Sequence, residues 1–242
     1  VDEVRAVFDE ALDPSGTSLA GWTLTNVPSG GTLASVSVSG STATLAITEG
    51  AGAPSTAVGA FTVALAVDPA GIRDLNGHAA SFTSRAPLDR AAPAPVTIAM
   101  LDATNNGRVD RLTFTWSETL GATTTATAPW TLANVPSGGV RNTVSMSGTT
   151  GTLLITEGPG ALETGVGSFT VALAASPTGV RDAAGNQTAF AARAPTDAAR
   201  PRVALIAGTN GATDGRIEPG DTLSVTFTEA MNPTTLVGPV TV

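Results

Sequence analysis

The 242-residue sequence has no cysteine, no tyrosine and no lysine. Without cysteine there is no disulfide frame, no thiol nucleophile and no thiolate metal site. That absence leaves an extracellular location open. His78 is the single histidine, so histidine-based triads and zinc sites are excluded as well. Aromatic residues make up only 4% of the chain, so a core must be built mainly from Val, Leu, Ile and Ala. All twelve basic residues are arginine, which reads as a coding bias. The net charge of −8 and the lack of basic clusters argue against nucleic acid or an anionic membrane surface as partner. No apolar run reaches the length of a membrane span, so no membrane insertion is expected, and no signal peptide is seen. The sequence begins at Val1, so a processed or truncated product is expected.

What the chain does have is self-similarity. "WTLTNVPSGG" at 22–31 returns as "WTLANVPSGG" at 130–139, an offset of 130 − 22 = 108 residues. "FTVALAVDPAGIRD" at 61–74 returns as "FTVALAASPTGVRD" at 169–182 at the same offset. "RAPLDRAAP" at 85–93 returns as "RAPTDAARP" at 193–201, and 214–231 echo 106–120 with three extra residues. Such periodicity points to a tandem array. The expected units are 1–93, lacking a first strand, 94–201, complete, and 202–242, the opening part of a third.

Within the complete copy, "RLTFTWSE" (111–118) places Leu112, Phe114 and Trp116 on one face and Thr113, Thr115 and Ser117 on the other. This period of two marks a half-buried strand. Further strands are expected at 96–101, 130–135, 142–148, 151–158, 169–175 and 187–194, with a loop at 178–186. Turn clusters such as "PSGG" separate them. No stretch has convincing helical periodicity. Short strands at regular spacing predict an all-β chain of tandem immunoglobulin-like β-sandwich domains.

Three motifs carry a family resemblance. "FDE" (8–10), "WSE" (116–118) and "FTE" (227–229) end strands, "DLNGH" (74–78) and "DAAGN" (182–186) form late loops, and "NGRVD" (106–110) leads into a strand. Together they resemble the bacterial Ig-like repeats of large cell-surface proteins. The resemblance implies an extracellular or cell-surface location and a structural role in a surface rod, S-layer or filament. An adhesin-type module gripping glycan or protein is the alternative. Expected partners are neighbouring Ig-like repeats of the same protein, including a homopolymer of the chain.

The segment "DATNNGRVD" (102–110) collects oxygen donors in a chain that is only 13% charged. Asp102, Thr104, Asn106, Arg108 (through its carbonyl) and Asp110 have the alternate spacing that can wrap Ca²⁺, with Gly107 allowing the sharp turn. A closing ligand is expected from Glu118 or Asp182. Asn210, Asp214 and Glu218 form the weaker equivalent in the third copy, with Asp221 added by the insertion. The competing reading is an Asx-rich turn, in which Asp and Asn accept from their own backbone. Glu118 and Asp182 carry a similar pair of readings: ordinary strand-end and turn residues, or acids at one pole of a sandwich that share an ion with the linker.

No catalytic constellation stands out. Candidate acids sit at repeated scaffold positions, so the chain is not expected to be an enzyme. Trp22 and Trp130 open apolar strands, which fits core packing better than an exposed sugar platform. A first copy lacking a strand would leave an unpaired sheet edge. The expectation is that this edge is completed by more of the same polypeptide or by a strand of a neighbouring subunit.

Overall fold

The computed structural model describes residues 1–121, 127–211, 213, 215–216, 218–232 and 234. Among them the fold is all-β, built from several small sheets without a barrel. No helix there is long and apolar enough to cross a membrane. The chain divides into two compact units: residues 1–94 with 117–121 and 181–186, and residues 95–116, 122–180 and 187–242.

Residues 1–94 carry β1 (Glu3–Val7), β2 (Trp22–Thr25), β3 (Thr32–Ser39), β4 (Thr42–Thr48), β5 (Thr62–Leu65) and β6 (Phe82–Arg85). β1, β4 and β3 form one antiparallel sheet, and β2, β5 and β6 form another. Strand β4, "TATLAIT", alternates strictly, with Ala43, Leu45 and Ile47 turned inward. Those side chains join Val36 from β3, Trp22 from β2, Val63 and Leu65 from β5, and Phe61 and Ile72 in one buried cluster. Both sheets therefore bury their apolar faces in shared contact, the main source of stability for such strands. Ser39 pairs with Thr42, leaving a two-residue turn in which Gly40 takes a φ of 58°. That left-handed value suits glycine at the tightest point of a hairpin. Strand β1 is hydrogen-bonded to β4 on one edge, and among the described residues no strand pairs with its other edge.

The second unit carries β7 (Pro95–Leu101), β8 (Arg111–Trp116), β9 (Trp130–Ala133), β10 (Val140–Ser147), β11 (Thr150–Thr156), β12 (Thr170–Leu173), β13 (Phe190–Arg193), β14 (Thr196–Asp197), β15 (Val203–Thr209) and β16 (Thr222–Phe227). One sheet runs β10–β11–β8–β7–β14, a second runs β13–β12–β9, and β15 and β16 form a separate hairpin. Registers repeat those of the first unit at the sequence offset: Trp22 faces Leu65, and Trp130 faces Leu173. Ile98, Met100, Leu112, Phe114, Leu153 and Ile155 line the buried face of the larger sheet. The Phe114 and Trp130 rings lie 4.9 Å apart between centroids, joining strands of different sheets. Both Trp22 and Trp130 are buried, as core residues.

Several expected strands differ in extent by one to three residues, and one short strand is not among those expected. The 130–135 strand stops at Ala133, because Asn134 takes a φ of 55° and a Pro136–Gly138 turn follows. The closing strand starts at Phe190, not at residue 187. β14 is a two-residue parallel partner of β7, too short for any periodicity to announce.

Candidate functional site

The 102–110 loop links β7 to β8, and its two aspartates are each only 7% exposed. Asp102 Oδ1 accepts from Asn106 N–H (3.2 Å) and from the Thr104 hydroxyl (3.3 Å), and Oδ2 accepts from Gly107 N–H (2.8 Å). Asp110 Oδ2 accepts from Ala103 and Thr104 N–H, at 3.0 and 2.8 Å. Its Oδ1 accepts from Arg111 Nε at 2.8 Å. Asn106 Oδ1 accepts from Arg108 N–H at 3.0 Å, and its amide donates to both oxygens of Glu157. The Arg108 guanidinium donates to the carbonyls of Gly158 and Gly160. The carboxylates of this loop are thus engaged with backbone donors of the loop itself, which is Asx-turn chemistry. Gly107, with a φ of 87°, gives the loop its bend.

In the third copy, Asp214 lies outside the described residues. Asn210 is exposed beside Gly211, whose N–H donates to Asp221 Oδ1 at 2.7 Å. Glu218 N–H donates to Asp221 Oδ2 at 2.9 Å. These two backbone donors, Glu218 first, hold the Asp221 carboxyl below its ordinary range.

Glu118 and Asp182, the expected closing ligands, meet each other and Asp89 of the 85–93 segment. One carboxylate oxygen from each of the three lies within 4.8 Å of the others. Glu118 and Asp182 are buried, at 6% and 3% exposure, and Asp89 is partly buried. The positions follow from local structure. Ser117 N–H donates to Ala94 O, and Ala94 N–H donates to Ser117 Oγ, at 2.9 and 2.8 Å, so the end of the "WSE" strand is tied to the 85–94 segment. Thr56 Oγ bonds Ser117 Oγ at 2.6 Å and donates to Glu118 Oε1. Asp182 is fixed by Asn186, whose backbone N–H and side-chain amide donate to its two oxygens at 2.8 and 2.6 Å. At Gly121 a Cβ would fall 2.2 Å from Asp182 O, so the 117–121 and 181–186 segments approach as closely as only glycine allows.

Among the described residues no arginine forms an ion pair with Asp89, Glu118 or Asp182. Burial pushes the Glu118 carboxyl up from its ordinary value, and the Asp89 and Asp182 charges add to the rise, against the Thr56 hydrogen bond. All donors here are hard oxygens: three carboxylates with the Thr56 and Ser117 hydroxyls beside them. That donor set suits Ca²⁺ or Mg²⁺ and not a soft metal. No family, curated protein or solved structure matches the chain. The chain itself holds internal copies of this site at the 108-residue offset.

Those copies are informative. The offset of 108 turns Thr56 into Thr164 and Asp89 into Asp197, and Glu229 takes the place of Glu118. Thr164 Oγ bonds Thr228 Oγ at 2.6 Å and donates to Glu229 Oε1 at 3.2 Å. Arg202 N–H donates to Thr228 Oγ at 2.9 Å, and Thr228 N–H donates to Arg202 O. Burial raises the Glu229 carboxyl as it does Glu118, with the Asp197 charge next. Asp74, the first-copy counterpart of Asp182, pairs instead with His78 Nδ1 at 2.7 Å. Asp89 is the site residue that sequence reasoning missed. The available signal was an acid at the same place in both Pro-rich segments, "RAPLD" and "RAPTD".

Proposed function

We propose that the chain is a structural segment of a large bacterial extracellular protein, a surface rod, S-layer or filament component made of Ig-like β-sandwich units. The observation that carries this reading is the brace that occurs twice. A threonine hydroxyl reaches the Ser/Thr and Glu of the next "(W/F)(S/T)E" motif, at Thr56–Ser117–Glu118 and again at Thr164–Thr228–Glu229. Each brace lies within one compact unit, so the same hydroxyl–carboxylate fastening is built into successive copies, as a repeated structural segment requires. Reaction chemistry has no part in this role.

Ca²⁺ belongs to the proposal as the ion that stiffens the brace, held by Asp89, Glu118 and Asp182. It would neutralise three carboxylates that have no cationic side chain against them among the described residues. Limited digestion with an arginine-specific protease tests the brace. Arg85 and Arg90 flank Asp89 and offer cleavage sites within the segment. Cleavage there is expected to be slow in millimolar Ca²⁺ and faster in EDTA or after Asp182→Asn. Equal, rapid cleavage at Arg90 under all three conditions would overturn the braced-spacer reading.

A further inference from the structure

The late turn of the first copy holds a reactive group that its counterpart lacks. Residues 74–78 and 182–186 stand 108 positions apart and fold alike. Asp74 Oδ1 accepts from His78 N–H, and Asp182 Oδ1 from Asn186 N–H, each at 2.8 Å. Gly77 and Gly185 take φ values of 91° and 93°. Where the first copy has Asn76, the second has Ala184, so the turn forms without a side-chain amide at that place. Asn76 is exposed, between Leu75 at 69% and His78 at 81%. No described residue hydrogen-bonds its side-chain amide. Gly77 offers no obstruction, since a Cβ there would meet nothing within 4 Å.

Asparagine precedes glycine at two other places, and in both the glycine nitrogen is held by a carboxylate. Gly107 N–H donates to Asp102 Oδ2 at 2.8 Å, and Gly211 N–H donates to Asp221 Oδ1 at 2.7 Å. Such charge-assisted bonds keep the proton on nitrogen, because its loss would set an amide anion against a carboxylate. The Asn106 amide is also tied, donating to both oxygens of Glu157 while its Oδ1 accepts from Arg108 N–H. Gly77 N–H donates only to the Asp74 backbone carbonyl, at 3.2 Å.

We propose that Asn76 is a modification site, which converts in the folded chain to aspartate and isoaspartate through a cyclic imide. The Gly77 nitrogen attacks Asn76 Cγ. The N–Cγ bond forms, the Cγ–Nδ2 bond breaks, and Nδ2 leaves as ammonia with the proton that the Gly77 nitrogen gives up. Water then opens the imide. Addition at Cγ gives aspartate, and addition at the former main-chain carbonyl carbon gives isoaspartate, whose main chain runs through Cβ and Cγ. Water is taken up, ammonia is lost, and nothing is oxidised or reduced. Isoaspartate lengthens the main chain between the two N–H groups that Asp74 Oδ1 holds, those of Asn76 and His78, each at 2.8 Å. The turn therefore opens in the isoaspartyl form and persists in the aspartyl form. Neither the spacer role nor calcium enters this chemistry.

The full chain, incubated in warm, mildly alkaline buffer both folded and in denaturing urea, tests the proposal by peptide mass spectrometry. In the folded chain, product at Asn76 is expected to exceed that at Asn106 at least tenfold. In urea the two sites should approach a common rate, because only the fold distinguishes them. Asn76→Ala, which copies Ala184, should abolish the product and leave Tm unchanged. In the isoaspartyl form, separated by its added charge, the His78 amide should exchange with deuterium at least tenfold faster than in the unmodified chain. Equal product at Asn76 and Asn106 in the folded chain, an Asn76 still intact when the unfolded chain has converted, or a site ratio that urea does not change would overturn the site. Unchanged exchange at His78 would overturn the opening of the turn.

Discussion

Replacing Glu118 with Gln removes one negative charge from the Asp89–Glu118–Asp182 group and keeps the acceptor oxygen that Thr56 uses. With an effective dielectric of about 20, two unit charges 4.8 Å apart repel by about 3.5 kcal/mol. Relaxation and lost hydration reduce the net gain, so we expect E118Q to stabilise by roughly 1–3 kcal/mol at pH 7.5 in EDTA. At about 2–4 °C per kcal/mol for a chain of this length, Tm should rise by at least about 2 °C. The pH dependence follows from the direction of the shift. The folded-state pKa of Glu118 lies above its ordinary value, so the neutral acid is favoured by folding. The stability it contributes is fully present below the ordinary glutamate pKa and is lost as pH rises through the raised folded value. Wild type and E118Q should therefore converge near pH 4 and separate toward pH 7.5. Millimolar Ca²⁺ should reverse the order at pH 7.5, because the wild-type carboxylate binds the ion better than the amide does. Calorimetric melts at the two pH values, each in EDTA and in Ca²⁺, measure all of this. If E118Q melts below wild type at pH 7.5 in EDTA, the carboxylate is held by attraction, and the argument from repulsion fails.

Two other outcomes can be measured on the same chain. Asp110→Ala strands the N–H groups of Ala103 and Thr104 and should cost about 1–3 kcal/mol, with the same loss in Ca²⁺ and in EDTA if the loop is a turn; a loss confined to Ca²⁺ would make the loop a cation site instead. His78 should titrate above the ordinary histidine range because the Asp74 carboxylate accepts from its ring, so the stability it adds is present at low pH and lost as pH rises through that raised value; Asp74→Asn should return its NMR titration midpoint to normal, and an unchanged midpoint would show that the pair does not form in solution.

The strands were legible because burial is written into the sequence two residues at a time. Leu112, Phe114 and Trp116 of β8 are all buried, and Val171 and Leu173 of β12 likewise. The two-residue β14 was not legible, since its pairing with β7 depends on backbone groups and on a fold that brings residue 196 back to residue 99. The loop 102–110 shows a different limit. Asp and Asn at alternate positions serve a cation or serve N–H donors equally well, and only coordinates reveal which oxygens are engaged. The sequence offers Glu118 or Asp182 as a closing ligand for the 102–110 loop, whereas the fold brings the two acids together and gives them a shared partner in Asp89. That partner, Asp89, sits in a Pro-rich segment with no periodic pattern, so its proximity could be learned only from tertiary structure.

The parallel pairing of β14 with β7 has a mechanical consequence. Thr196 lies beside Ala99 and Asp197 beside Met100, with Ala198 N–H donating to Met100 O. Tension applied to the chain from both sides of this segment enters at Pro95, the start of β7, and leaves past Asp197, the end of β14. Since the two strands run the same way, the pull slides one along the other, and the bonds between them bear the load together. An antiparallel hairpin pulled at its open end would release its bonds one after another. Even a ladder of two residues thus acts as a clamp across 197 − 95 = 102 positions of sequence, keeping the intervening strands out of the line of force until it shears.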